Sequence, residues 1–161
     1  MSKPAVRLGD LVGHAPQEIM RLGPAAPAVM ASGAAAMTAA AAMPGTVVKP
    51  VGAPPKIATG AIVKGSTCVS FDKRPAAHVT GSIAPCAVEL GAPIPVKKGS
   101  STVFVDGRAA ARLGDPLVCK AAILSGSSVV SINDKPKFAS RPKAKKTLQQ
   151  EWAEKTSKTQ A

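Results

Sequence analysis

The sequence predicts a small, mainly β fold in which short repeats close on one another with pseudo-threefold symmetry. Three observations predict it. A twelve-residue phrase occurs twice without a gap, as KPAVRLGDLVGH at residues 3–14 and RAAARLGDPLVC at residues 108–119. A second phrase occurs three times, as GSTCVSFDKRPAA at 65–77, GSSTVFVDGRAAA at 99–111 and GSSVVSINDKPKF at 126–138. The composition, with 14 Gly and 15 Pro but only three Phe, one Trp and no Tyr, suits many turns and short elements around a thin aliphatic core.

Each copy of the second phrase opens on Gly-Ser and alternates apolar and polar residues, which is the period of a strand. In the middle copy Val103 and Val105 face one way, with Phe104 and Asp106 facing the other. Asp106-Gly107 is a tight hairpin signal, with Asp72-Lys73 and Asn133-Asp134 at the equivalent places. The part ending Arg-Leu-Gly-Asp reads as a returning strand and a sharp turn. One unit is split. Residues 3–14 are a return without a Gly-Ser hairpin, and residues 126–138 are a hairpin without a return. Joined, they make one whole unit, so the two ends of the fold are expected to pair and close a ring of three.

The organisation that follows is a first half-repeat at residues 1–23, an Ala- and Pro-rich insertion at 24–56, the main repeats at 57–138, and a basic tail at 139–161. In the insertion, eleven of the 21 residues from Pro24 to Pro44 are Ala and none is charged. Ala34–Met43 has high helix propensity between Gly33 and Pro44, so a flexible or partly helical insertion is expected. A membrane span is the less favoured reading, because Pro and Gly interrupt the run and Ala is barely apolar. The tail is read as a disordered basic segment or a short docking helix, with Leu148 and Trp152 on one face.

The chain carries 21 Lys and Arg against nine Asp and Glu, a formal charge of +12. Such an excess fits an anionic partner surface. Specific nucleic-acid recognition is not expected, since stacking aromatics and the known basic reading motifs are absent from the sequence. The N-terminus, MSKPAVRLGD, lacks the apolar stretch of a secretory signal. A protein made in the cytosol, or leaving it by a route that needs no such signal, is expected. No Ser-His-Asp, carboxylate-pair or phosphate-loop pattern is present, so no enzymatic activity is expected.

Three Cys are an odd number for a disulfide framework and favour metal ligation or plain burial. His14 lies ten residues after Pro4, Cys119 ten after Ala109, and Cys86 eleven after Pro75. Threefold closure would bring these three turns to one end of the molecule. Structural zinc takes four ligands from Cys and His, and His78, which replaces the Arg of positions 7 and 112, is the expected fourth. His78 could equally cap a turn. Cys68, out of register with the other two, is expected to be a buried strand residue.

Arg-Pro-Ala-Ala at residues 74–77, within the pattern Gly-Ser-x-x-Val followed by Pro-Ala-Ala-Arg-x-Gly-Asp, resembles the PAAR repeat family. The resemblance spans residues 3–14 and 57–136. It departs from the pattern at Ala109 for Pro, His78 for Arg and Thr80-Gly81 for Gly-Asp, and the first interloop is displaced by the insertion. The resemblance implies a small β cone with one structural zinc near its apex. It also implies a non-enzymatic role at the spike tip of a contractile injection machine, of the type VI secretion or phage-tail-like kind. One monomer would cap a trimeric spike protein of the VgrG type, assemble in the cytoplasm, and reach the target membrane on the particle. The alternatives are an adaptor carrying cargo or an effector through the tail or insertion, and a free basic binding module.

Overall fold

The computed structural model describes residues 2–134. The first half-repeat contributes β1 (Ser2–Pro4) and β2 (Leu11–His14). A helical segment follows, made of α1 (Pro16–Ile19), a 3-10 stretch (Met20–Ala25) and α2 (Ala26–Ala42). The chain returns through β3 (Thr46–Val48) and β4 (Ile57–Ala61). The second repeat holds β5 (Ser70–Phe71), β6 (Arg74–Pro75), β7 (Ile83–Cys86) and β8 (Ala92–Pro95). The third holds β9 (Phe104–Val105), β10 (Arg108–Ala109) and β11 (Ala122–Ile123), before β12 (Ser125–Ser127) and β13 (Ser131–Asn133).

All strand pairs are antiparallel and short, and they are arranged around an axis. At that axis three backbone bonds form a closed cycle: Val6 N–H donates to Ala111 O (3.1 Å), Ala111 to Ala77 O (2.9 Å), and Ala77 to Val6 O (2.9 Å). The neighbouring bridges repeat the cycle, as Ala5 opposite Arg112, Ala76 opposite Arg7, and Ala110 opposite His78. Strands brought this close leave no room for long side chains. The six residues there are Ala5, Val6, Ala76, Ala77, Ala110 and Ala111, and all are fully buried. This is the physical content of the repeated Ala-Ala.

Each Gly-Ser has a task in the same geometry. Ser66, Ser100 and Ser127 each donate a backbone N–H to the repeated Ala, at Ala76, Ala110 and Ala5 (2.8 Å each). Their hydroxyl oxygens accept the N–H groups two and three residues on, which turns the chain into the hairpin. The preceding glycine lies against that backbone: a Cβ on Gly99 would stand 2.6 Å from Ala110 O, and one on Gly126 2.9 Å from Ala5 O. Two hairpins turn with both central residues at positive φ, Asp72 and Lys73 (50° and 63°) and Asp106 and Gly107 (51° and 71°), as a type I′ turn requires. The third is the expected split one, for β1 pairs with β13 with Lys3 opposite Ile132.

Charged groups close the flanks between repeats. Arg7, 2% exposed in its side chain, bonds Asp10 of its own turn and reaches Asp72 of the next hairpin at 2.9 Å. Arg112 does the same with Asp115 and Asp134. On the remaining flank the pair is replaced, with Ser82 Oγ accepting the His78 N–H (2.9 Å) and His78 Nε2 3.7 Å from Asp106. That turn is one residue longer, with Thr80 (φ 61°) taking the left-handed conformation that Gly9 and Gly114 (φ 83° each) take in the others. Aliphatic residues fill the interior in two layers. One is built on Val6, Val12, Ile62, Val96, Leu117 and Ile123, the other on Ala5, Ala76, Ala110, Val105 and Ile132.

The structure corrects two expectations. The helix of the insertion begins at Ala26, eight residues before the expected start, and runs through Gly33. Gly33 is buried on the Ala58 carbonyl, so the missing side chain lets α2 lie close on β4 instead of breaking it. Pro27 is tolerated because it falls in the first turn, where its missing N–H has no partner to lose. With α1 and the 3-10 stretch, residues Pro16–Ala42 are long and apolar enough by composition to cross a membrane. Cys68 is exposed and stands ahead of β5 rather than within a buried strand. The expected helix around Leu148 and Trp152 lies outside the described residues.

Three outcomes follow from this packing. Arg7→Ala removes the nearest counterion of the buried Asp10 carboxylate, leaving it Arg74 at 3.9 Å and the Ser125 hydroxyl, and is expected to cost about 3 kcal/mol, read as a lower midpoint in urea. Gly99→Ala forces the Ala110 backbone away from the axis and is expected to cost about 1–3 kcal/mol in the same measurement. Asp134 is held at about 2, below the usual carboxylate range, by its bonds from Ser100 Oγ (2.6 Å), Arg112 and the Ser101 N–H. A carboxylate depressed by folding stabilises the native state above its unfolded pKa and stops doing so as pH falls through the folded value. The gap in urea midpoint between wild type and Asp134→Asn is therefore expected to be constant above roughly pH 5 and to close by roughly pH 2.

Candidate metal centre

Each repeat leaves its turn toward the same end of the molecule. β2 ends on His14 and β7 on Cys86. In the third repeat Leu117 and Ala121 pair through a 2.8 Å bond, with Lys120 at φ 69°, and so carry Cys119 on a tight turn. The late position of Cys86 is absorbed by the longer turn at Thr80–Ser82.

His14, Cys86 and Cys119 come together, with one ligand atom from each lying within 4.8 Å of the others. His14 Nε2 is 2.9 Å from Cys86 Sγ and 3.4 Å from Cys119 Sγ. His14 and Cys86 are fully buried, while Cys119 borders a hollow of about 210 Å³ lined also by Glu18, Arg21, Val88, Glu89 and Lys120. His78 does not join them. It sits on the flank at the position of Arg7 and Arg112, beside Asp106, because it precedes the turn that Cys86 follows.

Two residues of this centre were not anticipated. Glu18, in α1, places Oε2 2.8 Å from His14 Nδ1 and accepts the Ala15 N–H at 3.2 Å. Its signal in the sequence is a carboxylate four residues after a candidate ligand, just past a helix-starting Pro16. Lys56 is the other, and its Nζ donates to the Lys120 carbonyl (2.6 Å), next to Cys119.

The electrostatics of the cluster favour a cation. Burial would raise the Cys86 thiol, but His14 and the N–H groups of Glu89 and Val88 outweigh it and bring it down to about 7. Burial, with the Cys86 sulfur beside it, pushes Cys119 up to about 11. Burial works against the His14 imidazolium, yet Cys86 and Glu18 raise its pKa overall. Two thiols this close resist ionising together, and a divalent cation between them removes that conflict. The geometry fits such an ion, since donors in a tetrahedral zinc site of two Cys and one His stand roughly 3.6–3.8 Å apart. The two distances from His14 Nε2 would open by less than about 1 Å to reach that spacing.

The family model of the PAAR motif matches residues 52–125 and 91–140. No curated protein matches the chain. Together with the threefold strand cycle and the His–Cys cluster at one end, the match establishes that the chain belongs to the PAAR motif family, a structural family associated with the spike tip of contractile injection machines.

Proposed function

We propose that one copy of this protein caps the blunt end of a trimeric spike of the VgrG type and forms the point of the injection particle, with a single structural zinc at its apex. The closed cycle of Val6, Ala77 and Ala111 is the observation that carries this reading. A trimeric spike ends in three equivalent strand edges, which are prone to pair with any chain that meets them. A monomer with three similar flanks offers one repeat to each edge, whereas an asymmetric fold would cover one and leave two. The protein assembles on the spike in the cytosol, leaves with the particle, and meets the target membrane at its apex.

His14, Cys86 and Cys119 would hold the zinc. When bound, the ion would supply folding free energy at the end of the molecule where the three return turns meet. The chain's own residues do the rest. They would hold two thiolates and an imidazole at one point, bury His14 and Cys86, and fix the three return turns relative to one another. Ligation needs deprotonated thiols, so loading releases protons and weakens as pH falls.

Elemental analysis of the purified protein is expected to find one zinc per chain. Cys86→Ser and Cys119→Ser are expected to lose the metal and to melt at lower temperature, while His78→Ala keeps it. Capping is tested by size-exclusion chromatography with light scattering on a mixture with the spike trimer. One chain per trimer, retained at high salt, is expected. Binding that vanishes at high salt and transfers to DNA or anionic vesicles would instead favour the free basic module.

A further inference from the structure

The insertion between the first and second repeats leaves the metal centre and comes back to it. The helical run that leads into it departs directly after His14, and the strand that follows it, β4, pairs Ile57 with His14. Each end carries a polar fastening to the cluster. At the start, Glu18 Oε2 meets His14 Nδ1 at 2.8 Å and accepts the Ala15 N–H. At the return, Lys56 Nζ donates to the carbonyl beside Cys119. Between them, α2 is seated on β4 through Gly33, and Ile19 and Ala26 are buried.

A histidine that ligates through Nε2 must carry its proton on Nδ1, and a carboxylate at hydrogen-bonding distance holds the ring in that tautomer and orientation. Glu18 stands where this is needed, since Nε2 is the nitrogen that faces both sulfurs. The same carboxylate oxygen accepts the first free N–H ahead of α1, so it cannot release the ring without loosening the start of the helix.

We propose that Glu18 is a positioning residue for the metal, and that through it metal loading and the seating of the helical insertion are coupled. The inference rests on the metal site proposed above. Loading fixes the His14 ring, the ring fixes Glu18, and Glu18 fixes the first turn of the segment that leads into α2. Removing the metal frees the ring and weakens the fastening at the start of the insertion, while the packing of α2 on β4 and the fastening at the return remain.

The test uses the full chain loaded with cobalt(II), whose absorption reports ligand type and geometry, alongside zinc affinity by chelator competition and amide hydrogen exchange. In wild type, thiolate-to-cobalt absorption is expected, and stripping the metal is expected to speed exchange across residues 15–30. In Glu18→Gln, which keeps the shape of the side chain and removes its charge, zinc affinity is expected to fall by about 10–100-fold. The cobalt bands are expected to shift, and exchange in residues 15–30 is expected to stop responding to metal. Glu18→Ala is expected to lose more on each readout. Unchanged affinity and bands in both variants, with metal-dependent exchange retained, would overturn the proposal and leave Glu18 as a helix cap. Absence of thiolate-to-cobalt absorption in wild type would overturn the metal site itself and this inference with it.

Discussion

The cycle of three backbone hydrogen bonds around the axis is the constraint on which the rest of the fold depends. Each such bond contributes only about 0.5–1.5 kcal/mol net, but the cycle dictates what surrounds it. It requires small residues at Ala5, Ala76, Ala77, Ala110 and Ala111, glycine at residues 65, 99 and 126 where backbone meets backbone, and a serine hydroxyl after each glycine to start the next hairpin. It also sends the three returns toward one end. The convergence of His14, Cys86 and Cys119 follows from the symmetry of the strands above them, not from any local motif around each ligand.

Closure leaves seams between the repeats. Aliphatic residues from the repeats share the interior, and outside it the seams are joined by polar groups. Arg7 and Arg112 each bind one carboxylate within their own turn and a second on the adjacent hairpin, joining two repeats through one planar group. On the third seam both members of the inner pair change together: His78 stands for the arginine and Ser82 for the aspartate. A single change would have left a buried charge without its counterion, which is far costlier than losing the pair. The double change removes the inner arginine–aspartate pair and gives a turn one residue longer, which explains why Cys86 is displaced in the sequence yet arrives at the same point in space.

Much of this was legible in the sequence because repeats report on symmetry. The split unit predicted that the two ends of the fold would pair, and the Ser2–Pro4 strand does lie on Ser131–Asn133. The offsets from Pro4, Pro75 and Ala109 grouped the turns that bring His14, Cys86 and Cys119 together. The expectations that differed have separate causes. Gly33 read as a helix boundary, because propensity carries no information about a carbonyl at Ala58 waiting beneath it. Cys68 read as buried by residue type, but the Ser66 hydroxyl turns the chain there and leaves the thiol outward. His78 read as a ligand by chemistry, whereas its place in the repeat was already that of a flank arginine. Position within the repeat was the stronger guide.

The insertion shows how a symmetric scaffold carries an asymmetric addition. A long segment between two strands adds little closure entropy as it lengthens, so its thermodynamic burden depends mainly on how its ends are held. Here both ends lie at the metal centre, where His14 pairs with Ile57 across neighbouring strands, and the helix between them packs over β4 away from the axis. The returning part of the insertion also joins the ring, since β3 pairs with β12 and Arg7 donates to the Gly45 carbonyl and the Thr46 hydroxyl. The apex receives a second layer of support from Glu18 and Lys56 that the other two repeats do not provide. An uncharged, Ala-rich helix is poorly suited to bind its own scaffold tightly, because most of its side chains bury little apolar area. Fastening it at its base through Glu18 and Lys56, and pairing its return strand β3 with β12, offsets that weakness with polar contacts and backbone pairing that the helix itself cannot supply.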